Sequence, residues 1–301
     1  MLLGQTRQIN GKWRLKTLKK RMICRIWLLS LCLAALCAGT AAAEADGTQA
    51  HESAVDVPIL MYHSILSAEN GNCYCLSEAA FRSDLEYLKE HGYQTVFVSQ
   101  LADYVLQGQP LPEKPVAITL DDGHLNALTA VLPILEELDM KATVSVVGCY
   151  TEKSIAENDP NPNYAYLTWQ DIETLRNSGR VEIGNHTFQL HNLSDRRGAE
   201  KKCGESTSCY QSLLREDLTR LQTALTQQSG TTPRVFAYPY GFASPESLDV
   251  LKELGFTAAL TCKEKINHLT ADDPEQLYDL GRYNRPGGVS TGEFMRRVGL
   301  Y

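Results

Sequence analysis

The feature that most constrains the fold is residues 115–123, PVAITLDDG, where an apolar run ends in two aspartates and a glycine. The aliphatic and β-branched residues at 116–120 are typical of a strand buried on both faces of a parallel sheet. Gly123 permits the tight turn that follows. Because neighbouring side chains on a strand point to opposite faces, Asp121 and Asp122 cannot share one role. Adjacent buried carboxylates repel each other and lose hydration, so the pair needs a cation or a proton.

Residues 1–45 have the order of a secretory signal peptide. The first 25 residues contain eight Lys and Arg and no acid, and they precede an apolar run and a stretch of small residues. Cleavage after Ala43 or Ala45 fits this order, and a start at Met22 would give a shorter signal. The alternative is an uncleaved anchor, but the 18 residues from Ile26 are short for a membrane span. We therefore expect an exported protein, secreted or associated with the cell envelope, without a membrane span after cleavage.

The exported chain is acidic. Residues 46–56 are predicted to be a polar linker, and residues 57–301 to be a single catalytic domain that is large enough for a sizeable core. Cleavage after Ala43 reduces the 29 basic residues to 21 and keeps all 36 acidic residues, which gives a net charge of −15. Such a surface repels phosphate backbones, which disfavours nucleic-acid binding. We expect this domain to be a monomer.

Six of the nine cysteines remain after cleavage, and an even number in an exported chain permits disulfides. The connectivity stays open. Cys203 and Cys209 are the favoured pair, because they would close a short polar loop. A zinc ribbon would need repeated C-x-x-C motifs, which the sequence lacks.

From residue 57 onwards, short apolar runs alternate with amphipathic stretches, which predicts right-handed strand–helix–strand units in an α/β fold with a parallel sheet. Seven or eight such units predict a closed or nearly closed barrel. The predicted strands are 58–62, 95–98, 116–120, 143–147, 181–183, 235–238, 258–260 and 277–281. The predicted helices are 78–91, 98–106, 125–138, 168–178, 208–227, 244–254 and 291–298.

Chemically active residues follow several of the predicted strands. Parallel barrels carry their functional groups at the carboxyl ends of the strands. A metal such as Zn²⁺ prefers His nitrogens and a carboxylate, with one position open to water. Asp122, His186 and His191 can supply this set and leave Asp121 to accept a proton from the attacking water. The other candidates at strand ends are His63, Tyr238 and Tyr240.

Each of these motifs alone has a simpler explanation. Asp-Asp-Gly also fits a solvated turn that caps a helix, and Tyr-Pro-Tyr-Gly is common in turns. His63 or His186 alone could be a hydrogen-bonded core histidine, and His191 follows His186 at a spacing that does not share a helix face. The joint arrangement at strand ends favours the metal site. The histidines interpreted as surface or capping groups are His51, His91, His124 and His268, of which His124 is the least secure because it follows the carboxylates.

The combination of motifs resembles the polysaccharide deacetylase family, whose catalytic region is the chitooligosaccharide-deacetylase homology domain of carbohydrate esterase family 4. The resemblance covers nearly all of residues 57–301 and rests mainly on ITLDDG, EIGNHTFQLH and FAYPYG. It implies a distorted (β/α) barrel and the metal-dependent removal of N- or O-acetyl groups from a sugar polymer. It also implies one divalent metal, Zn or else Co, Ni or Mn.

The resemblance assigns roles to single residues. It implies that Asp121 is the base, that Asp122, His186 and His191 bind the metal, and that the Tyr240 backbone N–H stabilises the oxyanion. The late Leu-x-x-x-His motif of the family is missing near the carboxyl terminus. LMYH at 60–63 resembles it, as in a permuted branch that includes poly-N-acetylglucosamine deacetylases. That branch implies His63 as the general acid.

Two further departures from the family pattern concern the site. The two histidines are spaced by five residues instead of four, and Ala237 stands where the family has an arginine that braces the catalytic aspartate. Arg282 and Arg285 are the candidates to replace that arginine.

We expect a hydrolase that removes acetyl groups, chiefly N-acetyl groups of amino sugars, from an extracellular or cell-wall polysaccharide. Peptidoglycan, poly-N-acetylglucosamine, chitin-like oligomers and acetylated xylan all stay open as substrates. The alternative is a catalytically impaired, deacetylase-like glycan-binding protein, which Ala237 and the missing late motif favour. A serine or cysteine hydrolase is disfavoured because its signatures are absent. Adjacent carboxylates do not suit a glycosidase, whose two acids stand apart across the sugar.

Overall fold

A computed structural model describes residues 54–301, with the exception of Glu69 and Asp272. Residues 1–53, on which the signal peptide and most of the linker are predicted, lie outside the described residues. In the described part of the chain, no helix has the length and hydrophobicity that crossing a bilayer requires. Residues 55 and 56, predicted to end the linker, belong to the first strand instead.

The described residues form twelve strands, most of them short. In chain order they are β1 (Val55–Val57), β2 (Ile59–Tyr62), β3 (Ser64–Leu66), β4 (Cys75–Ser77), β5 (Gln94–Val96), β6 (Pro115–Leu120), β7 (Ala142–Val146), β8 (Val181–Asn185), β9 (Val235–Ala237), β10 (Ala258–Leu260), β11 (Asn267–Leu269) and β12 (Tyr283–Asn284).

Helices alternate with these strands. They are α1 (Glu78–Glu90), α2 (Val98–Gln107), α3 (Leu132–Leu138), α4 (Gly148–Glu157), α5 (Trp169–Asn177), α6 (Thr207–Ser229), α7 (Leu248–Glu253) and α8 (Thr291–Val298). A π-helix (Ala127–Val131) leads into α3, and short 3₁₀-helices occur at Pro239–Gly241, Pro245–Ser247 and Pro274–Asp279.

Eight strands form one parallel sheet in the order β10-β9-β8-β7-β6-β2-β12, with β5 paired to the first half of β6. The register places Thr119 of β6 opposite Met61 of β2 on one side and Thr143 of β7 on the other. The sheet curls into a partly open barrel, and a single bridge from Leu260 to Leu280 extends it beyond β10. The predicted α/β, barrel-like fold is therefore confirmed. The carboxyl ends of its strands all lie at one end of the barrel.

The core lies between the sheet and the surrounding helices. All six residues of β6 are buried, which confirms the strand predicted to be covered on both faces. Helix α1 packs Phe81, Leu85 and Leu88, which share one face, into the core. It begins at Ser77, whose hydroxyl accepts a hydrogen bond from the backbone N–H of Ala80 at 3.2 Å.

One predicted strand differs from the structure, and one helix and several short strands were not predicted. The predicted strand 277–281 is wrong, because Pro274–Asp279 is a 3₁₀-helix that begins with a proline and is capped by the Asp273 side chain. Leu277 packs inwards from this helix, and only Leu280, just after it, keeps a bridge to Leu260 beside β10. The short strand β12 lies at the opposite edge of the sheet, beside β2. Helix α4 was missed, because its sequence, GCYTEKSIAE, has few apolar residues at helical spacing.

The favoured disulfide between Cys203 and Cys209 is not formed, and all six described cysteines are free thiols. Other groups hold this loop. Cys209 lies in the first turn of α6, where its backbone N–H is capped by the Ser206 hydroxyl at 3.2 Å. Arg196 pairs with Glu205 at 2.7 Å just before that cap. An ion pair and a helix cap therefore close the loop that the cysteines were predicted to close.

A buried ion pair connects the start and the end of the domain. The Arg285 Nε donates to Asp84 Oδ2 at 2.7 Å, and both side chains are inaccessible to solvent. The hydroxyls of Thr291 and Tyr62 also donate to the Asp84 carboxylate, at 2.6 and 3.2 Å. The Arg285 backbone N–H donates to Met61 in β2 at 2.9 Å. This network joins α1, β2 and the segment that precedes α8.

We expect Arg285→Ala to lower the free energy of unfolding by about 3–5 kcal/mol, because it leaves the Asp84 carboxylate buried without its cation. Urea unfolding followed by circular dichroism measures the change. The matched control is Arg215→Ala, which breaks the exposed pair with Glu253 and should cost less than about 1 kcal/mol. Equal costs for the two variants would contradict this role of the buried pair.

Candidate metal centre and active site

One cavity lies at the carboxyl ends of the parallel strands. Its volume is about 720 Å³, and we call it the main cavity. The six residues predicted from the sequence as catalytic, metal-binding or oxyanion groups all line it. They are His63, Asp121, Asp122, His186, His191 and Tyr240.

The turn after β6 separates the two aspartates. Asp122 has a φ of +71° and Gly123 also has a φ of +71°, so the chain bends sharply where the strand ends. A Cβ atom on Gly123 would lie 2.9 Å from Val146 Cγ1, which explains why only glycine fits. Asp121 stays buried at the end of the strand, while Asp122 turns towards the histidines.

Asp121 is held by a bidentate ion pair. The Nη1 and Nη2 atoms of Arg282 donate to its two carboxylate oxygens, each at 2.8 Å, and Arg282 Nε donates to the Thr261 carbonyl at 3.0 Å. Burial raises the pKa of Asp121, but the charge and hydrogen bonds of Arg282 outweigh burial and lower this pKa overall. Asp121 is therefore an ionised carboxylate at neutral pH.

The predicted replacement for the missing family arginine is confirmed for Arg282. It reaches Asp121 from the segment just before β12, so Ala237 on β9 does not leave the aspartate unpaired. Arg285 as the alternative is wrong, because it is committed to Asp84.

Two imidazoles converge on one carboxylate oxygen of Asp122. Asp122 Oδ1 lies 3.1 Å from His191 Nε2 and 3.7 Å from His186 Nε2, and the three candidate ligand atoms lie within 4.8 Å of one another. Asp122 Oδ1 is buried and has no hydrogen-bond partner. A buried, unpartnered carboxylate oxygen facing two imidazoles fits a cation, and this donor set is one that divalent metals prefer.

The second nitrogens of both histidines are already engaged. His186 Nδ1 donates to the Ala237 carbonyl at 2.7 Å, and His191 Nδ1 lies 3.0 Å from the Tyr150 hydroxyl. Burial lowers the pKa of His186 to about 4, so its ring is neutral at neutral pH. These contacts direct Nε2 of each ring towards Asp122, as expected for metal-binding histidines.

The five-residue spacing of His186 and His191 is accommodated by an irregular loop. Thr187 has a φ of +72°, so the chain leaves β8 in a direction that no helix would take. Asp217 in the middle of α6 accepts hydrogen bonds from the backbone N–H groups of residues 188 and 189, at 2.7 and 2.8 Å. Asp217 therefore fixes the loop that carries the second histidine.

His63 and Tyr240 lie on other parts of the cavity wall. The His63 ring packs edge-on against Tyr74 with a centroid distance of 4.7 Å. Burial lowers the pKa of His63, and the carboxylates of Asp121 and Asp122 oppose this effect. Tyr240 has a φ of +60° within a 3₁₀-turn, and its hydroxyl lies 3.3 Å from His191 Nδ1.

Three residues of the site were not predicted. His124, interpreted as a surface or capping group, lines the cavity, stacks on Tyr166 at 4.9 Å and places Nε2 3.6 Å from Asp122 Oδ2. Its position two residues after Asp122 was a signal that could have identified it. Tyr150 and Asp217 have no local signal, because each contacts the histidine loop from a distant helix.

We expect Asp217→Asn to weaken divalent-metal binding by about 10–100-fold, because an amide cannot accept both backbone hydrogen bonds and the second histidine loses its fixed position. Competition of the metal-free protein with a chromophoric chelator measures the affinity. Glu216→Gln, which changes the neighbouring exposed carboxylate of α6, is the control. An unchanged affinity in a normally folded Asp217→Asn protein would contradict the role of this contact.

Known proteins resemble this chain in sequence and in fold. The polysaccharide deacetylase family model matches residues 108–259. The poly-beta-1,6-N-acetyl-D-glucosamine N-deacetylase of Escherichia coli (strain K12) is 29% identical over 239 residues, which cover 73% of this chain and 35% of the relative. This chain thus spans about a third of the length of that relative. The protein of the same name from Staphylococcus aureus (strain MSSA476) is 25% identical over 193 residues, 64% of this chain and 62% of the relative.

A solved structure shows the same fold. IcaB from Ammonifex degensii superimposes with a TM-score of 0.65 at 25% identity, over 81% of this chain and 96% of that chain. The family match covers half of the sequence and contains Asp121, Asp122, His186, His191 and Tyr240. The chain belongs to the polysaccharide deacetylase family.

Proposed function

We propose that this protein is a metal-dependent hydrolase that removes N-acetyl groups from the amino sugars of an extracellular or cell-wall polysaccharide. One observation carries the proposal. The buried, unpartnered Oδ1 of Asp122 faces two histidine nitrogens beside an aspartate that Arg282 keeps ionised. A site for a cation and a ready proton acceptor therefore lie side by side, as the hydrolysis of an amide requires.

Asp122, His186 and His191 would hold the metal. Two imidazoles and one carboxylate suit Zn²⁺, and they also accept Co²⁺, Ni²⁺ or Mn²⁺. When bound, a divalent cation polarises the acetyl carbonyl and lowers the pKa of water towards about 7.

The residues around the cation carry the proton transfers. Asp121 accepts a proton from the water that attacks the acetyl carbon, and Arg282 keeps the carboxylate ionised and oriented for that step. The Tyr240 backbone N–H donates to the developing oxyanion, a contact whose loss typically costs about 2.7–4 kcal/mol. His63 gives a proton to the departing nitrogen. Burial lowers the pKa of His63 overall, and the carboxylates of Asp121 and Asp122 oppose this effect. The products are acetate and a free amino sugar.

The named relatives support an amino-sugar polymer as the substrate. Two curated relatives are poly-beta-1,6-N-acetyl-D-glucosamine N-deacetylases, so this polymer is the first to test. Export fits the basic and apolar order of residues 1–45. Peptidoglycan, chitin-like oligomers and acetylated xylan remain as comparison substrates.

The alternative, a non-catalytic glycan-binding protein, was favoured by Ala237. Arg282 now supplies the guanidinium that position 237 lacks, and it does so with two hydrogen bonds to Asp121. The absent late motif still distinguishes this chain from most of the family, but His63 occupies the cavity wall. Catalysis is therefore the better-supported function.

We expect Asp121→Asn to lower the rate of acetate release by about 10²–10⁴-fold, because the amide cannot accept the proton. The metal content should stay unchanged, since Asp121 is not among the three convergent ligand groups. Acetate release and elemental analysis of the same sample measure both. Asp195→Asn, at an exposed surface pair with Lys202, is the control. Near-full activity of Asp121→Asn would show that this residue is not the base.

We expect chelation to abolish acetate release and one of Zn²⁺, Co²⁺, Ni²⁺ or Mn²⁺ to restore it. The reason is that Asp122, His186 and His191 contribute to the proposed reaction by holding the metal. The measurement uses poly-β-1,6-N-acetylglucosamine, peptidoglycan, chitin oligomers and acetylated xylan in parallel. Release from xylan alone would contradict N-deacetylation. Binding of a glycan by the metal-loaded protein without acetate release would support the non-catalytic alternative.

A further inference from the structure

Exposed apolar side chains gather around the mouth of the main cavity. Among the described residues, seven large apolar side chains are exposed, and four of them line this cavity. The four are Tyr74, Tyr164, Leu193 and Tyr240, with exposed fractions of 52, 57, 58 and 40%. Apolar groups exposed in one place, rather than scattered, mark a binding surface.

Tyr164 is exposed but held in place. Its hydroxyl donates to Asp159 Oδ2 at 2.5 Å, and its backbone N–H donates to the Asn161 carbonyl at 3.2 Å. The Asn126 side chain, buried beside β3, anchors the same loop by donating to the Pro162 carbonyl at 3.1 Å. The ring is therefore preorganised, so a ligand that stacks on it loses little conformational entropy.

A second concave region lies beside the main cavity. It has a volume of about 410 Å³ and is lined by Ser154, Ile155, Asn158, Asp159, Tyr166 and Trp169, among others. We call it the side pocket. Tyr166 lines both the side pocket and the main cavity, so the two are neighbours on the surface of the loop that carries Tyr164.

The lining of the side pocket has the chemistry of a sugar site. Ile155 is 45% exposed there, and Trp169 and Tyr166 add aromatic surface. Serine, asparagine and aspartate side chains provide hydrogen-bonding groups. The lining contains the carboxylates of Asp159 and Asp171 and no lysine or arginine. Neutral or amino sugars therefore fit this pocket, and acidic sugars do not.

We propose that Tyr164 and the side pocket form a distal subsite that binds sugar units next to the unit whose acetyl group is removed. The proposal rests on the proposed function for the identity of the ligand, a neutral N-acetylated amino-sugar polymer. A polymer must leave the main cavity across its rim, and the Tyr164 loop is the part of the rim that continues into a second pocket. The subsite therefore makes the protein select long chains over short ones.

The test compares β-1,6-linked N-acetylglucosamine oligomers of increasing length with the polymer and with p-nitrophenyl acetate, a small ester that cannot reach the subsite. For the wild type, kcat/KM should rise with chain length. Tyr164→Ala should lower kcat/KM on the polymer by about tenfold, since one stacking contact is worth about that factor. Its activity on the small ester should stay at the wild-type level.

Three further variants separate the subsite from general effects. Tyr164→Phe keeps the ring and should retain most of the length dependence. Ile155→Arg, which fills the side pocket, should lower kcat/KM on the polymer as Tyr164→Ala does. Tyr301→Ala removes an aromatic side chain that is 75% exposed away from both cavities and should behave as the wild type.

The outcomes distinguish the subsite from the proposed function. Unchanged length dependence in Tyr164→Ala overturns the subsite and leaves the deacetylase function intact. An equal loss on polymer and small ester also overturns it, because the residue would then act on the catalytic groups. If the wild type releases no acetate from any glycan, the proposed function fails. In that case, calorimetry of the longest oligomer binding to the wild type and to Tyr164→Ala tests the subsite. Weaker binding by Tyr164→Ala than by the wild type supports the subsite, and equal binding overturns it.

Discussion

The buried ion pair between Asp121 and Arg282 is the interaction on which the site depends. A carboxylate at the end of a strand covered on both faces would be protonated if it had only burial around it. Arg282 prevents this with two hydrogen bonds of 2.8 Å, and it is itself held by Thr261 and Thr119. The pair also joins the middle of the sheet to its β12 edge. Removing either partner leaves a buried charge without its counter-ion. The pair therefore stabilises the fold and also keeps Asp121 ionised.

Two adjacent aspartates acquire different properties from their surroundings. Both oxygens of Asp121 accept hydrogen bonds from one guanidinium, whereas Asp122 Oδ1 accepts no hydrogen bond and faces two imidazoles. The positive φ of Asp122 produces this difference, because it directs the second side chain away from the strand axis. The proposed function therefore uses Asp121 as the base and Asp122 as a metal ligand. Neither role could be read from the dipeptide alone.

The sequence predicted the parts of the site that follow strands and missed the parts that come from elsewhere. Asp121 and Asp122 follow β6, His186 follows β8, and His191 lies on the loop after β8, so topology brings these residues to one edge of the sheet. Arg282 lies 161 positions from its partner, and only the family comparison indicated that an arginine was needed. Asp217 acts from inside a helix without any local signal. Cys203 and Cys209 are free thiols, and the Ser206 cap and the Arg196–Glu205 ion pair hold that loop instead.

Backbone strain coincides with the site. Five described residues other than glycine have a positive φ, and two of them, Asp139 and Asn158, are helix C-caps of types that tolerate it. The other three are Asp122, Thr187 and Tyr240. A β-branched threonine and a tyrosine rarely adopt this conformation. Asp122 and Tyr240 are proposed site residues, and Thr187 directly follows His186. The conformational cost of these positive φ angles therefore falls at the candidate site. Buried contacts such as the Asp217 hydrogen bonds offset that cost locally.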